Sequence, residues 1–344
     1  MHPIVIIGSG MAGYTLAREF RKLSPEQELV MICADDAVNY AKPTLSNAFA
    51  GKKAPEQIAL GDAAKMGTQL NMRIEPFTFV KEILAERHEL VLEKDGVTSN
   101  QPYSKLILAV GANPIRLAIA GDGSDDIHVV NSLIDYRAFR ENLAQRKDKR
   151  VVILGAGLIG CEFANDLIGQ NTDNQTADIT VAVFDKAARP LAQQLPSQAG
   201  IMLQDALTQS GVTFYLGTDI TSITTNVNTN IDTSHNATVT ISFDKDNQSQ
   251  TFEADIVLIA IGLVANTELA ASANIAIASS QHINPTITHL PRTVQQGIKV
   301  DAYLATSAKH IYAIGDCANV MGSYMPYVMP LMNQAKALAK TLAD

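Results

Sequence analysis

Two stretches of the chain carry the same order of apolar runs and helical spacings. Ile4–Ile7 is apolar throughout, which suits a parallel strand covered on both faces, and it ends at Gly8-Ser9-Gly10-Met11-Ala12-Gly13. Ala12, Leu16, Phe20 and Leu23 then recur at helical spacing, with Arg18, Glu19, Arg21 and Lys22 forming the wet face. Ser24-Pro25 closes this helix, and a second apolar run, Leu29–Cys33, ends at Ala34-Asp35-Asp36. The order returns 147 residues further on, counted from Gly8 to Gly155. Val151–Leu154 leads into Gly155-Ala156-Gly157-Leu158-Ile159-Gly160, a helix carrying Phe163, Leu167 and Ile168, and a strand Ile179–Phe184 that ends in Asp185.

The remaining segments fit around these two units. Leu106–Val110, followed by Gly111-Ala112-Asn113-Pro114, is matched by Ala254–Asn266, and both are expected to return to a sheet as strands. Asp219–Glu253 alternates apolar residues with Thr, Asn and Asp, which predicts a small antiparallel meander. Ser279–Gln296 is polar and punctuated by proline, as in a surface loop. A C-terminal helix beginning near Pro330 carries Leu331, Ala335, Leu338 and Leu342 on one face.

Each G-x-G-x-x-G run lies between a strand and a helix and has an acid at the end of the next strand. That context is what a dinucleotide site needs. The first glycine permits a tight turn, the second lets the backbone approach a pyrophosphate, and the third lets helix and strand pack closely. The helix N-terminus offers unpaired N–H groups and partial positive charge to the phosphates. Asp35 and Asp185 are expected to accept hydrogen bonds from ribose hydroxyls, and Asp36 is read as a solvated loop acid. The fold class is therefore α/β, with two Rossmann-like dinucleotide-binding domains. Residues 1–115 and 264–344 are expected to form the first and 116–263 the second, inserted in the first, each with a small antiparallel meander.

Composition narrows the function by exclusion. At 344 residues two domains are the expectation, and 47% hydrophobic with 18% charged residues suits a large core. Lys and Arg number 27 against 35 Asp and Glu, a net charge of −8 that favours neither nucleic acid nor an anionic membrane as partner. No apolar run reaches the ~20 residues needed to span a bilayer, and the N-terminus runs straight into a strand with no cationic leader. Cys33, Cys161 and Cys317 lie far apart, so no disulfide framework, zinc site or vicinal dithiol is expected, and a reducing cytoplasmic home fits. All three are read as small buried residues. The seven histidines form no cluster, and no metal is expected.

Lys309-His310-Ile311-Tyr312-Ala313-Ile314-Gly315-Asp316-Cys317-Ala318 adds a Gly-Asp pair after a short apolar strand. With the two fingerprints and the AVGANP and AIGLVAN segments, it resembles the pyridine nucleotide–disulfide oxidoreductase superfamily over essentially the whole chain. The resemblance implies FAD on Gly8, Ser9, Gly10, Met11, Ala12, Gly13, Ala34, Asp35, Ala109, Gly111, Gly315 and Asp316, the last holding the ribityl chain. It implies NADH, with NADPH open, on Gly155, Gly157, Leu158, Ile159, Gly160, Asp185 and Gly262. Asp185 favours NADH because a carboxylate repels a 2′-phosphate; Lys186 and Arg189 weaken that inference. The backbone of Val80 is expected at the adenine, its side chain in the core, and Val328 at the flavin edge, where the C-terminal helix would point its N-terminus. Lys42 in the YAKP turn and Glu162 on the first turn of the second helix are expected beside flavin and nicotinamide, as the catalytic pair.

Absent motifs narrow the branch. The chain has neither the CxxxxC nor the CxxC of the dithiol reductases, and Tyr40-Ala41-Lys42-Pro43-Thr44-Leu45-Ser46-Asn47 places Asn47 where single-cysteine oxidases carry their redox thiol. Electrons must then pass from flavin directly to an acceptor. Gly13–Lys22, Cys33–Ser46, Leu154–Leu167 and Tyr327–Met332 are similar to the branch that reduces rubredoxin for alkane hydroxylation. Ferredoxin reductases carry a lysine at the Asn47 position, which pairs with the glutamate matched by Glu162; here that partner is left open. Alternatives are a ferredoxin- or flavorubredoxin-type reductase, or a FAD/NADH-binding redox signalling protein. The oligomeric state is left open, a monomer included. Family members continue into a third, interface domain, so a chain ending at Asp344 is expected to be a truncated form or a naturally short member.

Overall fold

In the computed structural model, residues 2–115, 126–146, 149–169, 179–226, 238–246, 248–278 and 296–343 are described here. The expected loop Ser279–Gln296 lies, apart from Gln296, outside them. The chain divides into two compact units: 1–41, 59–113 and 264–344 form the first, 42–58 and 114–263 the second.

The first unit is built on a five-stranded parallel sheet in the order Ile311–Ala313, Lys105–Leu108, Ile4–Ile7, Leu29–Ile32, Arg73–Glu75. Its central strands are buried on both faces, which explains their unbroken apolar runs. Val5, Ile6, Val30 and Met31 lose all exposure, worth about 1.5–3 kcal/mol for each side chain. Helix Met11–Leu23 packs alongside the C-terminal helix Val328–Ala343. That helix starts two residues before Pro330, because a proline in the first turn forfeits only an N–H that has no helical partner anyway. Leu331, Ala335, Leu338 and Leu342 form its buried face, as their spacing predicts. Strands Phe79–Leu84, Glu89–Lys94 and Val97–Pro102 make this unit's antiparallel meander.

The second unit repeats the plan. Its parallel sheet runs Val212–Leu216, Thr180–Asp185, Arg150–Leu154, Ile256–Ile259, Ile127–His128. In both sheets the fingerprint strand lies between the strand that leads to Asp35 or Asp185 and a strand that returns later. The meander is Asp219–Asn226, Thr238–Lys245 and Gln248–Ala254. Phe184 fixes its packing, stacking on Tyr215 at 4.5 Å and meeting Phe243 edge-on at 5.1 Å.

The division differs from the sequence reading at Pro114 and Ile115, which fall in the second unit, and more widely in the segment before residue 59. Residues 42–58, assigned there to the first domain, fall in the second unit. Phe49 packs edge-on against Tyr136 and Phe139, and Arg140 lies over its ring at 4.1 Å. No helical or strand period in 42–58 announces this aromatic anchor.

Candidate functional site

The two fingerprints fold into the same turn for the same steric reasons. Gly8 and Gly155 have φ of +110° and +109°, and a Cβ on them would stand 2.3 Å from the Ala109 carbonyl oxygen and 2.5 Å from that of Ala260. At Gly13 and Gly160 a Cβ would lie 2.1 and 1.9 Å from the carbonyl oxygens of Gly8 and Gly155, so turn and helix can touch only without a side chain. The middle glycines behave differently. Around Gly10 and Gly157 a Cβ would meet nothing within 4 Å among the described residues. No protein packing requires glycine there, and the open space suits a pyrophosphate approaching the backbone. Gly10 also caps its helix without a side-chain hydrogen bond, which leaves first-turn N–H groups for an anion. The residues therefore fit a dinucleotide at each turn.

The acids after each second strand are held by backbone. Asp35 Oδ1 accepts the Ser9 hydroxyl at 2.8 Å and the Ala37 N–H at 3.1 Å. The Ser9 side chain is thus turned to Asp35, and only its backbone faces the turn. Asp185 is held at both oxygens, by Ala156 N–H at 2.6 Å and Ala187 N–H at 2.7 Å. Oδ2 of Asp35 and both oxygens of Asp185 keep a lone pair beyond these bonds, so both acids can still accept from a ribose. Asp36 accepts the Val38 N–H instead of standing as a bare loop acid. Ala34 is exposed beside Asp35. Thr78 N–H bonds the Cys33 carbonyl and Phe77 N–H that of Asp35, which brings the strand carrying Val80 beside this acid, with the Val80 side chain buried.

Gly315-Asp316-Cys317 forms a short 3-10 turn close to the first fingerprint, where a Cβ on Gly315 would lie 2.8 Å from Ala12 Cβ. Two residues that the sequence did not single out fix it. Gln334 Oε1, on the C-terminal helix, accepts the Gly315 N–H at 2.7 Å, and the buried Tyr324 hydroxyl donates to the Asp316 carbonyl at 3.0 Å. Neither has a motif that would reveal it. Val328 opens the C-terminal helix and is partly exposed. Ala109 N–H bonds the Ile7 carbonyl, and the Gly111 carbonyl accepts from Asn266 N–H. In the second unit the Gly262 carbonyl accepts from Ile115 N–H.

Lys42 and Glu162 both lie in the second unit, each with a side-chain partner. Lys42 Nζ donates to Asn131 Oδ1 at 2.5 Å, and Asn131 N–H bonds Asp135, which caps helix Leu133–Gln145. Glu162 is the fifth residue of helix Leu158–Gly169, one turn further in than expected, so the helix-end field contributes little to it. Leu158 and Ile159 lie at the start of that helix, with Leu158 exposed. Cys33, Cys161 and Cys317 are free and buried. Burial pushes Cys33 and Cys317 up to about 12 and Cys161 to about 11, and nearby carboxylates push the same way. Among the described residues no group of His, Cys, Asp and Glu could hold a metal ion, and no helix is long and apolar enough to cross a membrane.

Two nucleotide turns on two parallel sheets, with no thiol pair, define an oxidoreductase working with FAD and a pyridine nucleotide. The chain belongs to the pyridine nucleotide-disulphide oxidoreductase family, whose model matches residues 2–337. It is 60% identical over 343 residues to a rubredoxin-NAD(+) reductase of Acinetobacter baylyi, covering 100% of this chain and 79% of that protein. A rubredoxin-NAD(+) reductase of Alcanivorax borkumensis is 38% identical with the same coverage. A nitric oxide reductase FlRd-NAD(+) reductase of Vibrio vulnificus is 32% identical over 99% of this chain and 78% of that one. Among solved structures, a covalent putidaredoxin reductase–putidaredoxin complex superposes with a TM-score of 0.80 at 24% identity, over 99% of this chain and 75% of that chain, a likeness of fold.

Proposed function

We propose that the chain is an NADH:rubredoxin oxidoreductase, working in the cytoplasm in support of alkane hydroxylation. The observation that carries this is the 60% identity over the whole chain to the A. baylyi rubredoxin-NAD(+) reductase. FAD, when bound, supplies the chemistry of taking a hydride and releasing its two electrons singly. The chain's own task is to hold and aim. In this reading Gly8–Gly13 and the helix after them take the FAD pyrophosphate, Asp35 the ribose, and Asp316, fixed by Gln334 and Tyr324, the ribityl chain. Gly155–Gly160 and Asp185 take NADH in the same manner. Lys42 and Glu162 act at the flavin and nicotinamide, Lys42 from the position that Asn131 sets.

The test is anaerobic. NADH is added to the yellow holoprotein until the flavin is reduced, then rubredoxin, ferredoxin or a dithiol is added and reoxidation is followed. Fast reoxidation by rubredoxin is expected; reoxidation by the dithiol and not by rubredoxin would sink the proposal. The 32% relatives named for FlRd support a second reading, a flavorubredoxin reductase, which the same experiment separates when flavorubredoxin is the acceptor.

A further inference from the structure

Glu162 has no lysine partner in the turn Lys42–Ser46 or at Asn47 beyond it, and the geometry of the second unit shows what replaces one. Asn47 does not hold the carboxylate. Its side chain is exposed, and Nδ2 donates to the Pro43 carbonyl at 3.1 Å. Ser46 is the residue that bonds Glu162: its Oγ donates to Oε2 at 2.7 Å. Ser46 has one hydroxyl proton and a second acceptor in range, the Pro43 carbonyl at 3.2 Å. The carboxylate is the closer acceptor and the stronger one, and Asn47 already supplies the Pro43 carbonyl with a donor, so the proton goes to Glu162.

Burial gives this donor a fixed position. Ser46 is 6% exposed in its 3-10 turn, whereas the Glu162 residue itself is exposed. The chain beyond Ser46 is fastened to that helix one turn further on, where Asp166 accepts the N–H groups of Phe49 and Ala50. Glu162 and Asp166 are four residues apart and so share one helix face. The segment 46–50 therefore meets that face at two carboxylates, and the Asp166 bonds set where the Ser46 hydroxyl lies. Without that hydroxyl, Glu162 is free to exchange rotamers.

We propose that Ser46 is the positioning residue of Glu162, a neutral hydroxyl that holds the carboxylate in the one rotamer that serves hydride transfer. The inference rests on the reading of Glu162 as a residue at the nicotinamide. Its consequence is a split between chemistry and binding, because misorientation slows transfer from a bound nicotinamide more than it weakens the grip on the rest of NADH.

The experiment compares S46A, S46T, S46V, E162Q and the double variant S46A/E162Q, all as FAD holoproteins. Flavin reduction at saturating NADH is followed by anaerobic stopped flow, and the Kd of NAD+ for the oxidised protein is measured by calorimetry. S46A is expected to slow reduction about tenfold while Kd moves less than about twofold. S46T should restore the rate to within about twofold and its isostere S46V should not, which isolates the hydroxyl from any packing effect. Adding S46A to E162Q should cost nothing more, since the serine acts through the carboxylate. S46A or S46V at the wild-type rate while E162Q is slow overturns the role of Ser46. E162Q at the wild-type rate overturns the reading of Glu162 on which it stands.

Discussion

The Asp166 carboxylate accepts the backbone N–H of Phe49 at 3.0 Å, and with the other oxygen that of Ala50 at 2.8 Å, although Asp166 is only 2% exposed. A buried acid is thus satisfied by a loop and holds that loop in return. D166A should leave two N–H groups without an acceptor and destabilise the second unit by about 2–4 kcal/mol. A urea unfolding curve unchanged from wild type would contradict this.

The same acid predicts a pH dependence. Burial raises Asp166 above the ordinary aspartate value of 3.8, outweighing its backbone bonds and the nearby Arg140. The folded state then holds a proton that the unfolded state releases at lower pH. Its contribution is fully present below the unfolded value and is lost as pH rises through the raised folded value. Relative to D166N, wild type should lose stability as pH rises above the ordinary aspartate value of 3.8. Parallel stability–pH curves for the two proteins would refute it.

The glycines separate folding from binding. G13A and G160A drive a Cβ onto a carbonyl oxygen and should lower Tm. G10A and G157A add a methyl group to open space, so the apoprotein should melt as wild type does. G10A should weaken FAD binding and G157A NADH binding, by about tenfold or more for a displaced phosphate contact. Reconstitution titrations with FAD and NADH check both, and unchanged affinities would place the nucleotides elsewhere.

Coenzyme choice should depend on a residue outside the fingerprint. Lys186, which follows Asp185 and could meet a 2′-phosphate, lies 2.7 Å from Asp219, and the Thr218 N–H pins this loop to the Asp185 carbonyl. D219N should free Lys186 and raise kcat/KM for NADPH by about two- to fivefold at low salt, the scale of an exposed ion pair. D185A should raise KM for NADH and narrow the gap further. Unaltered kinetics with both coenzymes in both variants would remove these carboxylates from the selectivity.

The thiols should take no part in turnover. With Cys33 and Cys317 pushed up to about 12 and Cys161 to about 11 by burial, little thiolate exists at pH 8. A thiol reagent should label none in the native protein and all three after denaturation, and the triple serine variant should still reduce its acceptor. Rapid native labelling accompanied by inactivation would reopen a thiol mechanism.

Periodicity and glycine spacing determined the α/β class, the repeated strand–turn–helix unit, both carboxylates after the second strands and the buried face of the C-terminal helix. Those features follow from local chain geometry and from burial on both faces of a parallel sheet, so they are written into neighbouring residues. What bonds Glu162, what holds Lys42, how the Gly315-Asp316 turn is fixed and which unit takes residues 42–58 could be decided only by tertiary structure. Each depends on a donor and an acceptor far apart in sequence: Ser46 with Glu162, Lys42 with Asn131, Gln334 with Gly315, Phe49 with Asp166. A hydrogen bond has no sequence period, and a short polar side chain finds its partner only after the sheets have set the distance between them.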